Sequence, residues 1–230
     1  MALCPWAEHK LLPENETQGR ITPRAVIAHS AGGEAELYGW WQNDQSRGLE
    51  SHFWVGRDGR TVQYIDTEVR ADANGAANGY AVSIETASTK HASERWDPPQ
   101  AAALVRLIDW LCSVHDIPRA LMTKPTGSGL AWHVQFGAPG PWTPSAGKVC
   151  PGPARIVQYQ NEIIPAVANG TDPQEFVMDQ EATAAFRALH KRLESVESKQ
   201  DRLLADAKTK TTAIGAIRKG VARIEAKLKG

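Results

Sequence analysis

The sequence has few of the features that define several large classes of protein. Its three cysteines are an odd number and too few for a disulfide framework in 230 residues. No apolar run approaches the roughly 18 residues of a membrane-spanning helix, and the first ten residues lack the basic and apolar regions of a signal peptide. The 26 basic residues balance 26 acidic ones, which argues against a general nucleic-acid binder. We therefore expect a cytoplasmic chain with no membrane span and no nucleic-acid partner.

Aromatic and charged residues are unevenly distributed along the chain. Hydrophobic residues make up 42% of the sequence, enough for a substantial core. All eight tryptophans and four tyrosines lie between Trp6 and Tyr159. Residues 1–170 carry 14 basic and 17 acidic side chains, whereas residues 171–230 carry 12 and 9. The turn-forming residues near position 170 mark the boundary. We predict one domain at 1–168, a linker at 169–180 and a separate helix at 181–230.

The C-terminal segment has a heptad pattern. Apolar residues occupy eleven of thirteen positions spaced alternately by three and four residues, which predicts a coiled coil. Copies of the chain could join through it, and whether the segment joins copies or binds another partner stays open. A helix folded back on the N-terminal body stays open as an alternative. The end of the segment is basic, and it is either a solvated face or a contact for an anionic polymer. The thirteen positions are Phe186, Leu189, Leu193, Val196, Gln200, Leu203, Ala207, Lys210, Ile214, Ile217, Val221, Ile224 and Leu228.

The N-terminal body has the pattern of an α/β protein. An apolar run at 24–30 and another at 81–85 are typical of buried strands, and residues 51–66 predict a hairpin whose turn contains Asp58-Gly59. A helix with an apolar stripe follows Asp97. These elements predict a mixed central β-sheet flanked by helices.

Three residues are candidates for a metal site. His29 ends an apolar strand and precedes a glycine-rich loop, where ligand sites often form. His133 follows Trp132, and Cys150 lies between Lys148 and a Pro-Gly-Pro sequence. Two histidines and one cysteine would leave a tetrahedral Zn²⁺ one open position for water. Spacing alone leaves open that the three residues are unrelated.

Five short segments, taken in their order along the chain, narrow the choice of protein family. The segments are Val-Ile-Ala-His-Ser at 26–30, Ser-His-Phe-Trp-Val-Gly-Arg-Asp-Gly at 51–59, Ser-Ile-Glu at 83–85, His133, and Lys-Val-Cys-Pro-Gly at 148–152. Together they resemble the zinc-dependent N-acetylmuramoyl-L-alanine amidases of the peptidoglycan-recognition-protein fold. The full N-terminal stretch, with Leu-Cys-Pro-Trp at 3–6 and Trp-Thr-Pro at 142–144, looks most like the endolysins of phages that infect actinobacteria.

This resemblance implies an activity and a set of roles. Zn²⁺ held by His29, His133 and Cys150 would activate water to cleave the amide bond between N-acetylmuramic acid and L-alanine in bacterial peptidoglycan. Glu85 would transfer the proton from the water to the leaving amine. Lys148 would stabilise the oxyanion. An endolysin would accumulate in the host cytoplasm and act on the cell wall after release.

The sequence departs from the family at two places. The interval of 17 residues from His133 to Cys150 is longer than usual, and residues 135–146, rich in glycine and proline, resemble an inserted loop. Some relatives have a tyrosine just before the hairpin histidine, His52, whereas this chain has Ser51. A tyrosine-based role therefore does not transfer.

Other interpretations stay open at this point. The chain could bind peptidoglycan without cleaving it, or it could be a virion-associated structural protein assembled by its coiled coil. Glu85 could be a surface acid and Lys148 a solvated loop residue. We expect His52 to be structural or to line the substrate site, and Trp40 and Trp41 either to stack on sugar rings or to belong to the core.

Overall fold

The structure of the chain is a computed structural model that describes residues 1–43, 48–89 and 94–228. It separates into two compact units, Met1–Asp179 and the segment from Gln180 onward. The described strands are β1 (Glu8–His9), β2 (Ala25–Ala28), β3 (Phe53–Val55), β4 (Thr61–Gln63), β5 (Ala81–Thr86) and β6 (Gly129–Trp132). The described α-helices are α1 (Glu14–Thr17), α2 (Tyr38–Asn43), α3 (Pro98–His115), α4 (Pro153–Gln158), α5 (Ile164–Asn169) and α6 (Pro173–Leu228).

The first unit is built on one mixed sheet of six strands in the order β1-β4-β3-β5-β2-β6. Strand β2 pairs in parallel with β5 on one side and with β6 on the other. Strands β3 and β4 form the antiparallel hairpin predicted from Asp58-Gly59. All four residues of β2 are buried, as expected for a central strand covered on both faces. The prediction of a mixed central sheet flanked by helices is confirmed.

Helix α3 covers one face of this sheet. It begins with Pro98 and Pro99, which are favoured in the first turn of a helix, and it ends at Asp116, whose φ of 53° is left-handed. Its apolar stripe is buried against strand residues in the main core. The stripe consists of the predicted residues Leu104, Leu107, Ile108 and Leu111.

The first unit ends in a run of short helices. Helix α4 leads through a π-helical turn at Tyr159–Ile163 into α5, and the run stops at Gly170, whose φ is 62°. Helix α6 starts only three residues later, because Pro173 suits a first turn and the Asp172 side chain accepts a hydrogen bond from the Gln174 backbone N–H at 2.7 Å. Residues 173–180, predicted to be linker, are therefore helical.

Most of α6 belongs to the second unit. Five heptad residues in it are more than half exposed, namely Leu189, Leu193, Val196, Leu203 and Ile214. An apolar row of this kind on a single helix is what a coiled-coil partner would cover, and the pairing itself stays a prediction. In the described residues, no helix is long and apolar enough to cross a membrane.

Candidate metal centre

The candidate residues meet at one edge of the sheet. His29 directly follows β2, His133 directly follows β6, and Glu85 lies near the end of β5. These three strands are parallel, so their carboxyl ends lie side by side. The backbone continues the sheet past the strand ends: His29 N–H donates to the Ile84 carbonyl at 2.8 Å, and His133 N–H donates to the Ala28 carbonyl at 3.2 Å. The sheet thus holds the backbone of both histidines in place.

His29, His133 and Cys150 form a cluster suited to a metal ion. One ligand atom from each of the three residues lies within 4.8 Å of the other two. The two imidazole rings are tilted against each other with centroids 4.4 Å apart. Within the described ranges this is the only group of three or more His, Cys, Asp or Glu side chains with such spacing. Two nitrogens and one sulfur are the donor set of a catalytic zinc site with an open fourth position.

The far side of each imidazole is occupied by an oxygen atom. His29 Nε2 lies 2.8 Å from the side-chain oxygen of Asn74, and His133 Nε2 lies 3.3 Å from the Trp142 carbonyl oxygen. A ring nitrogen that faces an oxygen acceptor carries the proton, so Nδ1 of each ring is left with its lone pair. The residues present therefore fit a metal ion bound through the two Nδ1 atoms.

Cys150 completes the cluster from a loop. Its Sγ accepts a hydrogen bond from the Ser30 backbone N–H at 3.2 Å, which ties the loop to the residue after His29. Burial raises the pKa of the Cys150 thiol to about 12, and the charge of Glu85 adds to this shift, while the Lys148 and Arg155 cations oppose it. A sulfur held in this environment becomes a thiolate when it binds a cation.

Glu85 faces the same space. Its Oε1 is 3.8 Å from His29 Nδ1, and its side chain is 14% exposed. Its other oxygen is buried and has no hydrogen-bond partner in the described part of the chain. Burial raises the pKa of Glu85 to about 8, against the lowering effect of the Lys148 and Arg155 charges. A carboxyl group with a raised pKa in a cleft is suited to proton transfer near neutral pH.

All five predicted site residues line one cleft of about 220 Å³. Lys148 is exposed at this cleft, and its positive charge lowers the pKa of both histidines, for which burial is the larger cause. The apolar part of the lining comes from Leu37, Trp40, Trp41 and Leu49.

The two tryptophans of the cleft differ in burial. Trp41 is 5% exposed and packs edge-on against Tyr64 with ring centroids 5.0 Å apart, so it belongs to the core. Trp40 is 47% exposed. Trp40 is therefore the one of the pair whose ring can meet a sugar.

Arg155 is a residue that the sequence did not single out. Its side chain is 1% exposed, and its guanidinium donates hydrogen bonds to Ser30 Oγ (3.2 Å), Thr86 Oγ1 (3.0 Å), the Ala87 carbonyl (2.9 Å) and Glu94 Oε1 (3.1 Å). Ser30 lies just beyond β2, and Thr86 and Ala87 lie at the end of β5, so one cation links the strand ends next to His29 and Glu85. A solvated helix arginine and a buried one have the same sequence signal, so the sequence does not distinguish Arg155 from the other arginines.

His52 lies outside the metal cluster. It is fully buried, its Nε2 donates to the Val69 carbonyl at 2.9 Å, and its Nδ1 accepts from the Ser83 backbone N–H at 3.0 Å. Burial lowers the pKa of His52 to about 4, although the Val69 hydrogen bond acts in the opposite direction. His52 is thus a neutral histidine that joins β5 to the chain after β4, which is the structural role expected for it.

Comparison with known proteins agrees with this geometry. The family model for N-acetylmuramoyl-L-alanine amidases matches residues 19–153, which is more than half of the chain and includes all five site residues. The chain therefore belongs to the N-acetylmuramoyl-L-alanine amidase family. It is a hydrolase that acts on peptidoglycan, and the activity predicted from the ordered segments is confirmed at this level.

Solved structures share the fold. The amidase LysC from Clostridium intestinale is 16% identical, with a TM-score of 0.51 over 72% of this chain and 99% of that one. The endolysin amidase LysCS from the same organism is also 16% identical, with a TM-score of 0.52 over 74% of this chain and 99% of its own. At this identity the likeness extends to the fold alone. Among functionally curated proteins, none matches this chain.

Proposed function

We propose that this chain is a zinc-dependent amidase that serves as a phage endolysin, with Zn²⁺ held by His29, His133 and Cys150. The observation that carries the proposal is the convergence of these three side chains within 4.8 Å from separate segments of the chain. Their free ring nitrogens, their sulfur and the neighbouring carboxyl of Glu85 fit a catalytic rather than a structural site.

The residues around the ligands divide the chemistry among them. Bound Zn²⁺ supplies polarisation of the scissile carbonyl and a lower pKa for a water molecule in the cleft. Glu85 takes a proton from that water through a carboxylate oxygen and delivers it to the nitrogen of the leaving L-alanine. The Lys148 ammonium group, at the exposed side of the cleft, stabilises the negative charge that develops on the carbonyl oxygen, which is worth about 3 kcal/mol in comparable sites.

The endolysin part of the proposal concerns where and when the enzyme acts. LysCS, whose fold this chain shares, is named an endolysin, and the N-terminal stretch with Leu-Cys-Pro-Trp at 3–6 and Trp-Thr-Pro at 142–144 resembles endolysins of actinobacterial phages. In that role the chain acts on the host cell wall from the cytoplasmic side at the time of lysis. Its residence in the host cytoplasm before lysis stays a prediction.

Digestion of purified actinobacterial cell walls tests the proposal. The zinc-loaded protein is expected to release new N-terminal L-alanine and peptide-free glycan strands, and a chelator is expected to abolish both products, because Lewis-acid catalysis contributes several kcal/mol to the rate. Mass spectrometry of the digest identifies the cleaved bond, and re-addition of zinc serves as the control. Products that persist in the metal-stripped protein would overturn the zinc dependence.

The same digest addresses the non-catalytic alternative. A peptidoglycan-binding module would sediment with the walls and release nothing. Retention of the proposed thiolate ligand at Cys150 favours the enzyme, as does a Glu85 carboxylate oxygen with no hydrogen-bond partner among the residues that the structure describes, because binding alone requires neither group.

We further propose that residues 181–230 join copies of this chain. The exposed row that includes Leu193 and Leu203 would be covered by the same row of a second copy, with Gln200 as a polar position that selects the register. Sedimentation equilibrium of the full chain is expected to give a multiple of the single-chain mass, and Leu193→Lys with Leu203→Lys is expected to reduce it to one chain. A single-chain mass for the unaltered protein would contradict the proposal and, with it, a virion protein assembled through this helix.

A further inference from the structure

We propose that the Asn74-Gly75 turn and the inserted segment 135–146 form a platform that sets the ring orientation of both histidine ligands, with Asn74 as a positioning residue. The proposal rests on the metal centre described above. It assigns a role to the extra residues between His133 and Cys150, and it accounts for a fully buried asparagine that takes no part in the chemistry.

Asn74 makes hydrogen bonds through both ends of its side-chain amide and through its backbone. Its Oδ1 faces His29 Nε2 at 2.8 Å, while its Nδ2 donates to the Ala81 carbonyl at 3.1 Å. Its backbone N–H donates to the side-chain oxygen of Asn78 at 2.7 Å. Because a carbonyl can only accept, the contact with Ala81 fixes which end of the Asn74 amide is the NH₂ group, and the oxygen must face the imidazole. His29 therefore carries its proton on Nε2.

Gly75 performs the corresponding function for the second ligand through the inserted segment. A Cβ atom at Gly75 would lie 2.4 Å from the Trp142 carbonyl oxygen, and the φ of Gly75 is 56°. That same carbonyl oxygen lies 3.3 Å from His133 Nε2. The absence of a side chain at position 75 thus lets the Trp142 carbonyl approach closely enough to accept a hydrogen bond from His133 Nε2–H.

The inserted segment is anchored rather than loose at this point. The Trp142 ring is 2% exposed and packs edge-on against Phe136 with centroids 4.8 Å apart. Its Nε1 donates to the Tyr80 hydroxyl at 3.3 Å. The Ala76 backbone N–H donates to the Pro141 carbonyl at 3.3 Å, which ties the turn directly to the segment. The carbonyl that faces His133 is therefore held from two directions.

The physical consequence concerns the neutral imidazole. Each ring has one N–H and one lone pair, and without a partner the proton exchanges between the two nitrogens. An acceptor at Nε2 keeps the proton there and leaves Nδ1 as the ligand atom, so the metal does not compete with the wrong tautomer. Loss of such partners typically costs about 10- to 100-fold in metal affinity.

Two substitutions at position 74 separate positioning from mere packing. Asn74→Leu removes the acceptor, and we expect zinc affinity to fall by about 10- to 100-fold in a competition titration with a chromophoric chelator. Asn74→Asp keeps an oxygen toward His29 but loses the donor to Ala81, so its melting temperature should fall while zinc affinity is kept. The visible absorption of the Co²⁺-loaded protein should change in the leucine variant and not in the aspartate variant.

A glycine pair provides the matched control. Gly75→Ala must displace the Trp142 carbonyl, and we expect a loss of zinc affinity similar to that of Asn74→Leu. Gly79→Ala lies in the same loop, where a Cβ would meet nothing within 4 Å, and should bind zinc like the unaltered chain. Melting curves establish that each variant is folded. Should Asn74→Leu fail to fold, Gly75→Ala and Asn74→Asp still decide the question.

The outcomes distinguish this inference from the function on which it rests. If the unaltered chain binds no zinc, the proposed metal centre fails and the inference fails with it. If the unaltered chain binds zinc and folded Asn74→Leu or Gly75→Ala binds it equally well, the platform is overturned while the metal centre stands. A loss of affinity in Asn74→Asp equal to that in Asn74→Leu would indicate a packing role only.

Discussion

Replacement of Glu85 by glutamine is expected to lower kcat on cell-wall substrate by about 10²- to 10⁴-fold, the usual contribution of a positioned acid–base group. The amide keeps the shape of the side chain but can neither take a proton from water nor return one to the leaving amine. Glu85 is not one of the three proposed ligands, so the variant should still bind zinc with the stoichiometry of the unaltered chain.

A second buried acid gives the control for this experiment. Glu50 is 3% exposed, and burial raises its pKa as well, but it does not line the cleft. Glu50→Gln should therefore keep the kcat of the unaltered chain. Turnover is measured by the appearance of new L-alanine amino groups at saturating substrate. A Glu85→Gln variant that keeps full kcat would remove Glu85 from the mechanism without affecting the metal centre.

Cys150→Ala is expected to reduce both metal content and turnover, because it removes one of the three proposed ligands and not a proton carrier. Two imidazoles alone would hold Zn²⁺ weakly, so the purified variant should contain far less than one zinc per chain. Loss of several kcal/mol of Lewis-acid catalysis corresponds to a fall in kcat/KM of about 10³-fold or more. Metal content by mass spectrometry and kcat/KM on the same preparation measure both effects together.

Cys112 is the matched control for the thiol. It is 1% exposed and lies in the main core, and burial raises its pKa to about 12. Cys112→Ala creates a small cavity and should lower the melting temperature while leaving one zinc per chain. Full zinc content and full activity in Cys150→Ala would contradict the assignment of Cys150 as a ligand.

The local pattern of apolar residues in the sequence was sufficient to predict the parts of the site that directly follow strands. The apolar run before His29 predicts a buried central strand, and β2 is buried at every residue. A polar residue after such a strand is placed at the sheet edge by the backbone alone. The ordered segments then predicted the family, which the match over residues 19–153 confirmed. The roles of the five site residues stay predictions, although the structure brings all five to one cleft.

The local sequence pattern did not predict residues whose contacts are with positions far away along the chain. Asn74 is 45 positions from His29, and nothing in its neighbourhood along the chain indicates that it faces an imidazole. Arg155 is 125 positions from Ser30, and its burial depends on strand ends that the sequence cannot place beside it. Trp142 is proposed to orient His133 through its backbone carbonyl, and a backbone group carries no signal in the residue type.

The sequence by itself determined the strand and helix patterns and the family, and it predicted which residues would bind a metal. Those properties follow from hydrophobic periodicity and from the chemistry of His, Cys and Glu side chains, both of which can be read locally. Only the tertiary structure decided which ring nitrogen of His29 and of His133 is free, that His52 is neutral and structural, and that the buried cation of Arg155 links the ends of β2 and β5. Each of these depends on burial and on partners far apart in sequence, because hydrogen bonding and desolvation are properties of the packed molecule.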